Sequence, residues 1–190
     1  MRRTPRRRRQ RRIIAYLATS ADGYIARLDG DVEWLNRRPQ KDYGMRAFYR
    51  SIDTILLGRK TYDWALEYQR QHRIQRSPFD ARMRNLVFSR APPRRAADHA
   101  EFISQPVGSF AAQLQSSPGK DIWMMGGGEL IASFLDANAI DELDIHVIPT
   151  LIGEGIPLIA PRRRDVPLTL LASRKYPDGV VRLRYRVGGP

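Results

Sequence analysis

The sequence predicts an α/β fold with a mainly parallel central sheet and a C-terminal antiparallel hairpin. Three observations lead there. Short apolar runs alternate with helix-patterned stretches from residue 13 to about residue 148, the order that builds a parallel sheet flanked by helices. The run Ile122-Trp123-Met124-Met125 meets Gly126-Gly127-Gly128 and then Glu129-Leu130-Ile131, a strand delivering a turn to a helix start. Pro177-Asp178-Gly179 separates two further strand-like runs, which marks a hairpin. At 190 residues the chain is long enough to bury one full core.

The elements follow in order. Ile13-Ile14-Ala15-Tyr16-Leu17-Ala18 reads as a buried strand, and a turn-rich loop runs from Ser20 to about Gly30. Met45, Phe48 and Tyr49 recur at helical spacing between Tyr43 and Ser51. Thr54-Ile55-Leu56-Leu57 is a short strand ending at Gly58, and a helix is expected from about Thr61 to Tyr68. Arg70 to Arg84 is polar, contains Ser77-Pro78 and reads as a surface loop. Asn85-Leu86-Val87-Phe88 is the next strand, ending at Ser89-Arg90 before the Pro92-Pro93 break. A helix near Phe110–Leu114, the strand 122–125, a helix over Glu129–Leu135 and the strand Leu143–Ile148 complete the alternation. The hairpin strands are 167–173 and 180–187; the second alternates apolar residues with arginine, so one of its faces turns to the core. His146, inside an apolar strand, reads as a core histidine.

Composition narrows the classes. With 42% hydrophobic and 28% charged residues, the chain is of the soluble globular type. No apolar run is long enough to cross a bilayer and no secretory apolar region follows the basic start, so a cytoplasmic location and no membrane partner are expected. The absence of cysteine excludes disulfides, thiolate metal sites and cysteine nucleophiles, and three scattered histidines, His72, His99 and His146, give no zinc pattern. The net charge of +13 is unevenly spread: residues 1–12 hold eight arginines and no acid, while the remainder carries 25 basic and 20 acidic side chains. Such a run repels itself and has nothing to bury, so residues 1–12 are expected to form a disordered tail and 13–190 the folded domain. The tail stays open to two readings, a solvated extension or an arm that binds polyanions such as nucleic acid without sequence preference.

The chemistry concentrates at strand ends, where open α/β sheets bind ligands. Glycines without Cβ atoms let main-chain N–H groups approach an anion at a helix start. Three glycines in a row suit a bare tight turn equally well. Gly58-Arg59-Lys60-Thr61 adds a glycine, two cations and a hydroxyl at a second strand end, and Ser89-Arg90 a hydroxyl and a guanidinium at a third.

Together these motifs resemble the dihydrofolate reductase superfamily, particularly the branch of the riboflavin-biosynthesis reductase domain. The resemblance runs from Ile13 to Val187. It is carried by Ser20-Ala21-Asp22-Gly23-Tyr24-Ile25-Ala26, Asp29-Gly30-Asp31-Val32-Glu33-Trp34-Leu35, Leu57-Gly58-Arg59-Lys60-Thr61-Tyr62, and Leu143-Asp144-Ile145-His146-Val147-Ile148-Pro149 continuing to Gly153-Glu154-Gly155-Ile156-Pro157-Leu158. It implies a three-layer dihydrofolate reductase-like fold and NADPH as cofactor. Gly58, Arg59, Lys60, Thr61, Ser89 and Arg90 would then surround the adenosine phosphates. Met125, Gly126, Gly127, Gly128, Glu129 and Leu130 would hold the pyrophosphate, with Ala18 and Ile25 bordering the nicotinamide. A cis peptide between the paired glycines and a homodimer, through the C-terminal strands, are further implications.

The reaction implied is hydride transfer to a small heterocyclic or carbonyl substrate, 5-amino-6-(5-phosphoribosylamino)uracil among the candidates. Such chemistry needs a proton source beside the reduced bond. Asp42, just before the helix of Phe48 and Tyr49, is the preferred acid, and Asp22 a second candidate; as residues of a helix start and an Asp-Gly turn, both also suit purely structural roles. Trp34, Phe48 and Tyr49 could stack on a flat substrate or simply fill the core. Riboflavin-type reductases usually carry a lysine where Tyr16 stands, which leaves dihydrofolate reduction or another ring as alternatives. From a different class, a polyanion-binding protein acting through the tail is the remaining alternative.

Overall fold

The computed structural model describes residues 10–36, 42–91 and 93–188. The chain opens with β1 (Ile13–Ser20), β2 (Tyr24–Ala26), α1 (Glu33–Asn36), α2 (Met45–Ser51) and β3 (Ile52–Gly58). Then come α3 (Arg59–Gln71), β4 (Arg84–Phe88), β5 (Ala100–Ile103) and α4 (Val107–Ser116). It continues through β6 (Asp121–Gly126), α5 (Gly128–Asp136) and β7 (Glu142–Ile148), and ends with β8 (Ile156–Pro157), β9 (Leu168–Lys175) and β10 (Val181–Val187).

Eight strands form one sheet in the order β5-β4-β3-β6-β1-β7-β10-β9. From β5 to β7 every pairing is parallel, whereas β10 runs antiparallel to both β7 and β9. The expected α/β class with a C-terminal antiparallel hairpin is therefore the observed one. Alternating side chains split the sheet into two faces. Ile13, Ala15, Leu56, Leu86, Ile122 and Met124 pack under α4 and α5. Ile14, Tyr16, Ile55, Leu57 and Val87 pack under Phe48 of α2, Tyr62 of α3 and Phe79. Among the described residues, no helix is long and apolar enough to cross a membrane.

Beyond Tyr16 the second face turns polar. Ile14 pairs with Glu142, Tyr16 with Asp144 and Ala18 with His146, so all three β7 side chains share the face of Tyr16. Each buried carboxylate there has a guanidinium: Arg184 Nη2 lies 2.9 Å from Glu142 Oε2, and Arg182 holds Asp144. Arg12 bridges Asp121 and Glu142.

The tail boundary falls earlier than expected. Residues 1–9 lie outside the described residues, but Arg11 and Arg12 belong to the fold. The buried Arg11 guanidinium donates from Nε to the Lys120 carbonyl at 2.6 Å, from Nη1 to Ser117 Oγ at 3.1 Å, and from Nη2 to Thr54 Oγ1 at 2.7 Å and to Asp53. Charge density suggested disorder; acidic and carbonyl partners from distant segments reverse it for these two residues. Two further differences are additions. β5 is a four-residue edge strand with no clear alternation, and β2 with β8 makes a two-stranded pair inside a segment that reads only as loop.

Candidate functional site

Parallel pairing sets the ends of β3, β4 and β6 at one edge, with Leu57 opposite Gly126 and Gly58 opposite Phe88. The glycine turns meet there. A Cβ on Gly58 would lie 3.7 Å from Leu130 Cβ and 3.8 Å from Gly127 N, and one on Gly127 would lie 3.6 Å from Thr61 Oγ1 and 3.9 Å from Ile25 Cδ1. Gly58, Thr61, Ile25, Gly127 and Leu130, scattered in sequence, thus line one place.

Two helices begin at this edge, α3 after Gly58 and α5 after Gly127, and neither has a side-chain cap. Their first-turn N–H groups remain as donors, backed by the positive ends of two helix dipoles. The Gly126–Gly127 peptide is cis. Around the rim, Lys60 and Arg90 are exposed, and Ser89 Oγ accepts the Ala91 N–H at 3.2 Å. Arg59 is already engaged, with Nε 2.8 Å from Asp63 Oδ1 and Nη1 donating to the Ala91 carbonyl at 2.7 Å. Glu129 points to Arg162, whose Nη2 lies 2.9 Å from Oε2. Met125 packs half-buried against the second-face core.

Toward β7 lies an aromatic and polar cluster. Tyr16 stacks on Phe48 with centroids 4.2 Å apart, and Trp123 meets Phe48 edge-on at 5.8 Å. The main-chain carbonyl of Tyr43 accepts from Tyr176 Oη at 3.0 Å and Tyr16 Oη at 3.4 Å, with His146 Nε2 at 3.2 Å. Burial pushes the Tyr16 phenol well above its ordinary range; nearby Arg182 opposes the shift, while the charges of Asp144 and Asp42 add to it. Burial also lowers the His146 imidazole, against the pull of the Tyr43 carbonyl and Asp144.

The candidate acids stand apart. Asp42 is exposed at the start of α2, where Oδ1 accepts the Arg46 N–H at 2.9 Å and Oδ2 lies 3.9 Å from Arg46 Nε. Asp22 staples two loops: Oδ1 accepts from Ser20 Oγ at 2.5 Å, and Oδ2 accepts the N–H groups of Ile152 at 3.0 Å and Gly153 at 2.7 Å. The Ser20 hydroxyl and those N–H groups hold its carboxyl below the usual range. Its geometry is that of a loop staple.

The candidate aromatics divide as well. Phe48 and Tyr49 share one cluster, with Tyr49 Oη 3.2 Å from Asp80 Oδ2. Trp34 lies in another, with Ile148, Ile152, Tyr176 and Val180. It is 2% exposed, and its Nε1 has no hydrogen-bond partner among the described residues. Sequence reasoning passed over Tyr43, Tyr176, Arg182 and Asp144. The period-two pattern Glu142, Asp144, His146 against Arg182, Arg184, Arg186 is the signal that marks this polar face.

The model of the RibD C-terminal domain family matches residues 109–182. The uncharacterised Bacillus subtilis protein YwjB is 33% identical over 173 residues, which span 90% of this chain and 95% of YwjB. The riboflavin biosynthesis protein RibD of Corynebacterium ammoniagenes is 25% identical over 168 residues, 80% of this chain but 47% of RibD. A Shewanella sp. PV-4 protein provisionally assigned to riboflavin biosynthesis has a solved structure that covers 94% of this chain and 99% of its own, with a TM-score of 0.80 and 26% identity. The glycine turns at the sheet edge, the dihydrofolate reductase-like strand order and these likenesses agree, and the chain belongs to the family of the RibD C-terminal domain.

Proposed function

We propose that this protein is an NADPH-dependent reductase of the RibD type acting on a small flat heterocycle or a carbonyl compound. The observation that carries the reading is the meeting of two uncapped, glycine-started helices at one sheet edge, with Thr61 and Ile25 flanking Gly127. The residues fit a dinucleotide phosphate: open N–H donors at two dipole ends, a hydroxyl, and exposed cations at the rim. Gly126, Gly127, Gly128 and Leu130 would hold the pyrophosphate. Lys60 and Arg90 would take the adenosine 2′-phosphate, with Arg59, tied to Asp63 and Ala91, framing that pocket.

When bound, NADPH supplies the hydride. This chain's residues do the rest. Ala18 and Ile25 limit the space at the nicotinamide, Phe48 and Tyr16 keep water from the reacting face, and Asp42 holds the proton that balances hydride addition. Asp22, engaged by Ser20, Ile152 and Gly153, keeps the loop around Ile25 in place.

Calorimetric titration with NADPH and NADH tests the reading. Micromolar or tighter NADPH binding, with NADH at least tenfold weaker, is expected. Absence of binding by either overturns it. With the cofactor site established, a panel that includes 5-amino-6-(5-phosphoribosylamino)uracil and dihydrofolate identifies the acceptor.

A further inference from the structure

Three buried donors converge on the Tyr43 main-chain carbonyl: the hydroxyls of Tyr176 and Tyr16 and the Nε2 of His146. A carbonyl oxygen has two lone pairs. The three contacts, at 3.0, 3.4 and 3.2 Å, therefore over-subscribe it, and Tyr16 holds the longest. Among the described residues, that contact is the only hydrogen bond of the Tyr16 hydroxyl. A buried hydroxyl with so poor an acceptor gains by meeting a better one.

The position of this nest gives it a use. His146 is the cross-strand neighbour of Ala18, and Tyr16 lies two residues before Ala18 on the same face of β1, roughly 7 Å away. Under the proposed function Ala18 borders the nicotinamide, so the donors face the place where the ring to be reduced would lie. The Tyr43 carbonyl reaches them because its neighbour is glycine. At Gly44, with φ 97°, a Cβ would sit 2.9 Å from Arg182 Nη1 and hold the segment away from the sheet.

The donors also select for charge. The phenols are neutral, burial keeps the imidazole neutral, and the nearest ions, Asp144 and Arg182, neutralise each other in a two-point pair. Such a nest suits an uncharged acceptor, a ring carbonyl above all. A carboxylate or phosphate would lose its water without gaining a counter-charge.

We propose that Tyr16 and His146 are specificity-determining residues that bind a carbonyl oxygen of a flat heterocyclic substrate, the Tyr43 carbonyl standing in its place in the ligand-free protein. The substrate role rests on the reductase reading; the donor nest itself does not. Binding moves the Tyr43 carbonyl off the nest, and the incoming oxygen takes over the Tyr16 and His146 bonds.

The test titrates the full chain with ortho-pyridone, a flat lactam, with and without saturating NADPH. Tyr16→Phe keeps the ring on Phe48 and removes only the hydroxyl. It is expected to weaken pyridone about fivefold to tenfold while leaving the melting temperature and NADPH affinity as in the parent. His146→Leu should weaken pyridone similarly, and His146→Gln, which keeps an N–H, should restore most of the affinity. Equal pyridone affinity in parent and Tyr16→Phe, or no binding to the parent up to the solubility of pyridone, overturns the proposal. Tyr16-dependent pyridone binding by a chain that fails to bind NADPH would keep the subsite and remove the reductase reading.

Discussion

Arg182 grips Asp144 at two points across the β7–β10 pair, Nε to Oδ1 at 2.7 Å and Nη2 to Oδ2 at 2.5 Å. Asp144 is almost fully buried, so its charge depends on this partner, with Arg184 Nε a more distant second at 3.5 Å. The carboxylate in turn pulls the Arg182 guanidinium above its ordinary value. Arg182→Met should cost about 3 kcal/mol, because it strands a buried carboxylate. Adding Asp144→Asn to the same chain should recover part of the loss. Urea denaturation of the two single variants and the double variant checks this; a double variant no more stable than Arg182→Met contradicts it.

Gly127 and Gly128 are neighbours with different duties. A Cβ on Gly128 would run into the Pro157 carbonyl and reach within 3.3 Å of Ala160 N, both main-chain atoms. Gly128→Ala should therefore destabilise the fold by about 2 kcal/mol. A Cβ on Gly127 meets only ordinary contacts, at 3.6 and 3.9 Å. Gly127→Ala should keep the melting temperature but fill space that the pyrophosphate needs, weakening NADPH at least tenfold. Unchanged NADPH affinity in Gly127→Ala would move the cofactor away from this turn.

His146 predicts an acid limit to stability. Burial lowers its folded-state value below 6.5, with Tyr43 and Asp144 partly opposing and Arg182 reinforcing the shift. Between the folded and unfolded values the unfolded chain binds more protons, so stability rises with pH across that window. The contribution is complete above about 6.5 and is lost as pH falls from there toward the folded-state value. His146→Gln should flatten this part of the profile. Denaturation midpoints across the same pH range in both chains decide it, and parallel profiles would count against the assignment.

The arginine-rich start separates into two parts. Arg11 and Arg12 are tied to Asp53, Thr54, Asp121 and Glu142, so deletion of residues 2–12 should lower the melting temperature while deletion of 2–9 should not. The Arg11 contacts alone are worth about 2 kcal/mol. We propose that residues 2–9 hold whatever polyanion affinity the chain has. Deleting them should abolish retention on heparin at low salt and leave NADPH binding intact. Retention that survives the deletion would place polyanion affinity on the domain itself.

A homodimer through the C-terminal strands is also proposed. β9 is an edge strand that exposes Leu168, Leu170 and Leu171, the second of them by 54%, with a register shift where it passes Arg184 and Tyr185. Apolar side chains on an open edge suit a second copy. Leu170→Asp should turn a sedimenting dimer into a monomer. A parent chain that sediments as a monomer at micromolar concentration ends the idea.

Local pattern fixed most of the architecture. Apolar runs such as Asn85–Phe88 and Ile122–Met125 are strands because they bury side chains on both faces, and the glycines after Leu57 and Met125 end them. These signals act over a few residues, so a single chain displays them. The hairpin around Pro177-Asp178-Gly179 was legible for the same reason. β5, β2 and β8 were not, since strands this short exist only through the partner that supplies their hydrogen bonds.

Side-chain partners across the sheet were beyond the sequence. Nothing local to Arg11 announces Asp53, nothing in His146 announces Tyr43, and Trp34 could have faced a ligand or, as it does, Val180 and Tyr176. The sequence by itself determined the class of fold, the glycine turns and the family, because hydrophobic period and backbone freedom are properties of neighbouring residues. Tertiary structure alone decided which arginines are tail and which are core, and which polar groups meet at the Tyr43 carbonyl, because burial and pairing depend on strands brought together from more than a hundred residues apart.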